Sequence, residues 1–103
     1  MQFSLDYNGP KNTIIVTLKH EGRGVHVTPA WSKVKTIMNP HGRHNDILRI
    51  RTRYTRNTGI IFTKITLKLD EGTERMIIED RLGAYFGELQ ECGGELYRRR
   101  SRY

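Results

Sequence analysis

Residues 46–69 contain two stretches in which apolar and polar residues alternate, and a turn-forming cluster separates them. Alternation with a period of two is typical of β-strands that bury one face. The cluster Arg56-Asn57-Thr58-Gly59 ends in glycine, as many reverse turns do. The sequence therefore predicts a β-hairpin, and a four-residue loop or a turn about Asn57-Thr58 gives the same strand register.

The predicted register divides the hairpin into two chemically different faces. One face should enter the core and carries Leu48, Ile50, Thr52 and Tyr54 opposite Leu67, Ile65, Thr63 and Ile61. The other face carries the basic side chains and one ring: Arg49, Arg51, Arg53, Lys64, Lys68 and Phe62. Arg51 falls opposite Lys64 there, and such like-charge pairs are unfavourable by some tenths of a kcal/mol. Because folding gives no reason for this repulsion, the pattern favours an anionic ligand.

The charge of the chain is unevenly distributed. Of its 103 residues, 18 are lysine or arginine and 11 are acidic, for a formal net charge of +7. Residues 1–69 hold 12 basic and 3 acidic side chains, residues 70–97 hold 2 basic and 8 acidic ones, and residues 98–103 add four arginines. A basic body of this kind favours association with polyanions, of which nucleic acid is the most common.

The length predicts one domain with a modest core, which we place at residues 1–94, followed by a mobile basic tail at 95–103. The apolar fraction of 36% is below the roughly 45–50% of typical domains. A core this small is compatible with a protein partner or a homodimer interface.

The remaining segments supply strands and two helices. Residues 3–7, 13–20 and, more briefly, 25–27 have strand character, with Ile14, Val16 and Leu18 on one face of the second strand. Thr28-Pro29 predicts a helix start, with threonine as the cap and proline in the first turn. Asn39-Pro40 predicts where that helix ends.

The longest predicted helix runs from Thr73 to Cys92 and ends at Gly93-Gly94. Its apolar stripe consists of Ile78, Leu82, Tyr85, Phe86, Leu89 and Cys92. A second interpretation makes residues 73–78 a strand and begins the helix near Asp80. We thus expect an α+β fold: a mainly antiparallel sheet of four to five strands, the long C-terminal helix packed on one face and a shorter helix after the N-terminal meander.

Several classes of protein are disfavoured. A single cysteine, Cys92, permits neither an internal disulfide framework nor a cysteine-based zinc site. The first residues lack the pattern of a signal peptide, and no apolar run approaches the ~20 residues of a membrane span. Cofactor and nucleophile motifs are missing as well. We expect a cytoplasmic or other reducing intracellular location, or a nuclear one, without a cofactor or membrane.

The candidate binding residues lie on the hairpin and in the tail. They are Arg49, Arg51, Arg53, Arg56, Phe62, Lys64, Lys68, Arg98, Arg99, Arg100 and Arg102. Arginine and lysine follow a phosphate backbone, and an aromatic ring offers a base a stacking surface. The alternative for the hairpin is an ordinary solvated sheet face, and for the tail a solubilising end.

One polar loop offers a different chemistry. His41, His44 and Asp46 lie within six residues, and such groups can bind a divalent metal or supply a general base. A metal-dependent nuclease is therefore an alternative, although no paired acidic cluster for two-metal chemistry accompanies the loop. The default interpretation is a polar loop.

These patterns predict a small non-enzymatic nucleic-acid-binding protein with low sequence specificity. Strand faces suit single-stranded DNA or RNA better than duplex DNA. The alternative is a small protein-binding regulator or inhibitor that docks on an acidic partner protein, because protein carboxylates attract the same arginines as phosphates do.

Overall fold

The computed structural model describes residues 1–21, 28–40 and 44–100, with the side chains of the last helix described as far as residue 91. The elements in order are β1 (Gln2–Asn8), β2 (Thr13–His20), α1 (Trp31–Met38), β3 (Asp46–Thr55), β4 (Ile60–Lys68) and α2 (Arg75–Arg100). All strand pairs are antiparallel, in the order β1-β2-β4-β3. The predicted α+β fold is confirmed. The predicted short strand at 25–27 lies outside the described residues.

Both helices pack on the same face of the sheet, and the core lies between these two layers. Alternate residues of the two central strands enter it, as the period-two pattern predicts. The buried apolar side chains are Ile14, Val16, Leu18, Val34, Met38, Ile65, Leu67, Leu69, Ile78, Leu82, Phe86 and Leu89. The opposite face of the sheet is left without a covering layer in the part of the chain that the structure describes.

Two tight loops set the strand registers. Asn8 pairs with Thr13 across the first loop, where Asn12 adopts a positive φ of 49° that asparagine tolerates. The side chain of Asn12 donates to the Leu69 carbonyl at 3.0 Å, which ties this loop to the end of β4. The four-residue loop 56–59 joins β3 to β4, and Gly59 supplies the left-handed residue with a φ of 68°.

Helix α1 begins two residues later than the sequence predicted. Its N-cap is Ala30, without a side-chain cap, so Thr28 is not the capping residue and Pro29 precedes the first turn. The Ala30 N–H instead donates to the Tyr85 hydroxyl at 2.8 Å. A hydrogen bond to a side chain of α2 thus takes the place of a local side-chain cap at this helix start. The predicted end at Asn39-Pro40 is confirmed.

Helix α2 starts at Arg75 and extends to Arg100. The interpretation of residues 73–78 as a strand is therefore wrong, and so is the predicted helix end at Gly93-Gly94. A glycine in a helix costs only about 1 kcal/mol relative to alanine, and good helix formers flank this pair. At the other end, the Arg75 guanidinium lies 4.3 Å from the centre of the Tyr7 ring, which joins α2 to β1. Neither described helix has the length and apolar character needed to cross a bilayer.

A β-bulge at Leu48 changes the predicted face of one residue. Ile47 pairs with Leu67 and Arg49 with Thr66, which leaves Leu48 as an extra residue between them. Ile47 packs against the core, whereas Leu48 is 61% exposed. The prediction that Leu48 lies opposite Leu67 in the core is wrong, because the bulge inserts one residue and reverses the alternation at that point. The rest of the predicted hairpin register is confirmed. The prediction that Ile50, Thr52 and Tyr54 enter the core is wrong, because these residues are exposed although they pair with the core side of β4.

The bulge leads to a testable difference between two adjacent residues. Ile47→Ala should lower the free energy of unfolding by about 1–2 kcal/mol, because a half-buried aliphatic side chain is removed from the core. Leu48→Ala should change it by less than about 0.5 kcal/mol, as is usual for exposed positions. Urea denaturation of both variants measures this difference. A larger loss for Leu48→Ala would contradict the bulged register.

Asn45 connects three elements just before β3. Its side-chain amide donates to the Met38 carbonyl at the end of α1, at 2.6 Å. The Asp70 N–H and the Thr73 hydroxyl, which lie between β4 and α2, both donate to its side-chain oxygen. Asn45 is only 4% exposed. A buried side chain that satisfies these groups fixes α1, β3 and the start of α2 relative to one another.

Candidate functional site

The open face of the sheet gathers the basic side chains of the hairpin. Arg49, Arg51 and Arg53 occupy alternate positions along β3. Their partners on β4 are Thr66, Lys64 and Phe62, in that order. We call the five cations Arg49, Arg51, Arg53, Lys64 and Lys68 the basic face. All five are exposed. They share one side of the sheet because strand residues two apart point the same way.

The basic face forms no ion pair with the carboxylates of the described residues. Within residues 1–21, 28–40 and 44–91, none of the five cations lies within 4.0 Å of an acidic oxygen, whereas Lys19 pairs with Glu21 at 3.0 Å and Arg75 with Glu79 at 3.3 Å. The Lys68 ammonium donates to the Lys11 carbonyl at 2.6 Å. Asp46 is the cross-strand partner of Lys68, but its carboxylate accepts the Ile47 N–H and forms no ion pair with that lysine. Glu79 and Asp80 belong to α2, on the other side of the sheet. Arg51 and Lys64, which lie directly opposite each other, thus have no acidic partner within 4.0 Å among the described residues.

A groove of about 590 Å³ crosses the open face at the bulge. Lys11, Arg49, Lys64 and Lys68 line it, and the apolar side chains of Ile15 and Leu48 contribute to its lining. We call this the bulge groove. Its composition suits a ligand that carries both negative charge and a flat or apolar part, since cations and aliphatic surface lie side by side.

Phe62 lies farther along the same face. It is half-buried and pairs with Lys19 on β2 and with Arg53 on β3. A second groove, of about 200 Å³, runs past it and is lined by Gln2, Phe3, Ser4, Thr17, Lys19 and Phe62. The ring thus borders an open depression that Lys19 also lines.

The remaining predicted binding residues do not lie on the strands that carry the basic face. Arg56 is exposed in the loop at the tip of the hairpin. Arg98, Arg99 and Arg100 form the last turn of α2, where the structure describes the backbone but not the side chains. Arg102 lies outside the described residues. The structure thus gathers six of the predicted residues on one face: Arg49, Arg51, Arg53, Phe62, Lys64 and Lys68.

The polar loop before β3 is described only in part. His41 lies outside the described residues, His44 is exposed, and the carboxylate of Asp46 accepts the Ile47 N–H at 2.8 Å. Among the residues that the structure describes, histidine, cysteine and acidic side chains do not form a group of three that could hold a metal ion.

Several residues of the open face were not among the predicted site residues, and three that line the bulge groove are Leu48, Lys11 and Ile15. Leu48 reaches it through the bulge, and the sequence signal is the pair Ile47-Leu48, which interrupts the alternation of β3. Lys11 and Ile15 reach it because β2 pairs with β4. That pairing joins strands separated by α1 and β3, so no local pattern indicates it.

Comparisons of the chain with protein-family models, with curated protein sequences and with solved structures give no significant match.

Proposed function

We propose that this protein binds nucleic acid through the open face of its sheet, without enzymatic activity and with little sequence specificity. The observation that carries the proposal is the basic face: five exposed cations on two neighbouring strands, without an ion pair to the described carboxylates. A polyanion supplies the missing countercharge. Contacts of this kind are made to the phosphate backbone and give affinity that does not depend on sequence.

Single-stranded DNA or RNA is the favoured form of the ligand. Arg49, Arg51 and Arg53 form a row in which successive cations are about 6.7 Å apart along an extended strand. Phe62 and the bulge groove lie beside this row and offer ring and aliphatic surface at which unpaired bases are accommodated. In a duplex the base faces are stacked inside the helix and do not reach such surfaces.

A salt titration tests the proposal. The affinity for single-stranded DNA, duplex DNA and RNA of equal length should be measured at several salt concentrations by fluorescence anisotropy. For a single strand, log affinity should fall against log salt with a slope of about −0.7 per phosphate, or about −3 to −4 if all five cations make contacts. Absence of binding at low salt, or a slope near zero, would contradict the proposal and favour the acidic protein partner.

Phe62→Ala should weaken single-strand binding about 5-fold to 100-fold, since stacking on an aromatic side chain contributes about 1–3 kcal/mol per base. Duplex binding should be nearly unchanged. Phe62→Leu controls for packing because it retains apolar volume without a ring, and Phe62→Tyr retains the ring. We expect Phe62→Leu to resemble Phe62→Ala and Phe62→Tyr to resemble the unaltered chain. Equal losses for single and double strands would exclude stacking at this position.

A further inference from the structure

The outer edge of β3 is a long strand edge without a neighbour. In the described part of the chain β3 pairs with β4 alone, and it spans ten residues without a proline. Every second residue of such an edge directs its backbone N–H and C=O away from the sheet. These groups form a template on which another extended segment can add as a strand.

The helix side of this edge is incompletely covered. Ile50 and Tyr54 point to the same side of the sheet as the core residues Ile65 and Leu67 do, yet they are 43% and 61% exposed. Helix α2 packs on β1 and α1, and α1 also contacts β3. The exposure of Ile50 and Tyr54 shows that this cover does not extend over the part of β3 that leads to the hairpin loop. The outer edge of β3 thus has arginines on one side and apolar surface on the other.

The charge of the edge restricts what can add to it. A second copy of β3 would bring its own Arg49, Arg51 and Arg53 against the same three arginines, and such like-charge pairs oppose the contact. The other edge strand of the sheet, β1, offers only Asp6 as an acidic residue. The edge therefore disfavours this chain's own edge strands and favours a segment with regularly spaced carboxylates.

We propose that the β3 edge from Arg49 to Thr55 binds an extended segment of a partner protein in which acidic and apolar residues alternate. Its backbone continues the sheet, its carboxylates lie against Arg49, Arg51 and Arg53, and its apolar side chains pack on Ile50 and Tyr54. The segment occupies the arginines of the basic face and displaces nucleic acid from them. That displacement rests on the proposed function, whereas binding of the segment does not.

Two capped seven-residue peptides of equal composition test the proposal. In the first, glutamate occupies every odd position and valine every even one; in the second, four glutamates precede three valines. The alternating peptide should bind at least ~10-fold more tightly, and it should slow hydrogen exchange at alternate amides of β3, measured by NMR. This experiment contains no nucleic acid. It therefore tests peptide binding at the β3 edge independently of whether the protein binds an oligonucleotide.

Two variants separate the peptide site from the basic face. Ile50→Thr and Tyr54→Thr each place a β-branched residue that suits a strand, but they remove apolar surface on the side opposite the basic face. Each should weaken the alternating peptide several-fold and leave the affinity for a single-stranded oligonucleotide unchanged. Equal binding of the two peptides, or no added protection in β3, would overturn the proposal. So would a concentration-dependent dimer that protects the same amides, since a second copy would then be the occupant.

Discussion

Arg51→Glu is expected to weaken binding to a single-stranded oligonucleotide about 10-fold to 100-fold at low salt. Arg51 lies in the middle of the basic face and directly opposite Lys64. The substitution removes one phosphate contact and places a carboxylate where it can pair with Lys64, so a second cation is lost to the ligand. Each charge-assisted hydrogen bond contributes about 1.5–3 kcal/mol. The slope of log affinity against log salt should become shallower by about 1 to 2.

Arg81→Glu is the matched control for this substitution. Arg81 is exposed on α2, on the other side of the molecule from the basic face. The variant makes the same change in net charge, and glutamate and arginine have similar helix propensities. Its affinity should stay within about two-fold of the unaltered chain. Equal losses for both variants would mean that overall charge, and not the open face of the sheet, attracts the ligand.

Asn45→Ala is expected to lower the free energy of unfolding by about 2–4 kcal/mol. The substitution leaves the Met38 carbonyl and the Asp70 N–H without the side-chain partner they have now. A buried polar group that loses its partner costs about 1–3 kcal/mol. In urea denaturation the midpoint should fall while the slope of the transition is retained, because the fold itself is unchanged.

Asn57→Ala provides the corresponding control, since Asn57 is exposed in the β3–β4 loop. The same chemical change there should alter stability by less than about 0.5 kcal/mol. A similarly small loss for Asn45→Ala would show that water replaces the lost contacts and that Asn45 does not fix the elements around it.

The hairpin could be predicted from sequence because two local signals agree. Alternation fixes which residues share a face, and the four-residue loop fixes which residues pair. The pairing of Arg51 with Lys64 could therefore be predicted from the sequence alone. The bulge could not be placed in this way. Whether Ile47 or Leu48 enters the core depends on which one the core accommodates, and that is decided by packing against the rest of the molecule.

Other differences have the same origin in tertiary contacts. Thr28 is a better intrinsic cap than Ala30, yet α1 begins where Tyr85 accepts a hydrogen bond from the Ala30 N–H. Similarly, the pairing of β2 with β4 brings Ile15 beside the basic residues, although β2 lies far from the hairpin in sequence. For the site, the local pattern was sufficient to find the row of arginines but not the groove beside them.

The exposure of Ile50 and Tyr54 also bears on how the hairpin moves. Beyond the bulge, most side chains of β3 are exposed, so this strand is held in the sheet mainly by its backbone hydrogen bonds to β4. Segments with little buried apolar surface open more readily than the core does. The tip of the hairpin should therefore fluctuate while the central strands stay paired. A ligand that orders the tip on binding loses part of its affinity to the conformational entropy of that ordering. In return, such a surface can adjust its curvature to ligands of different shape.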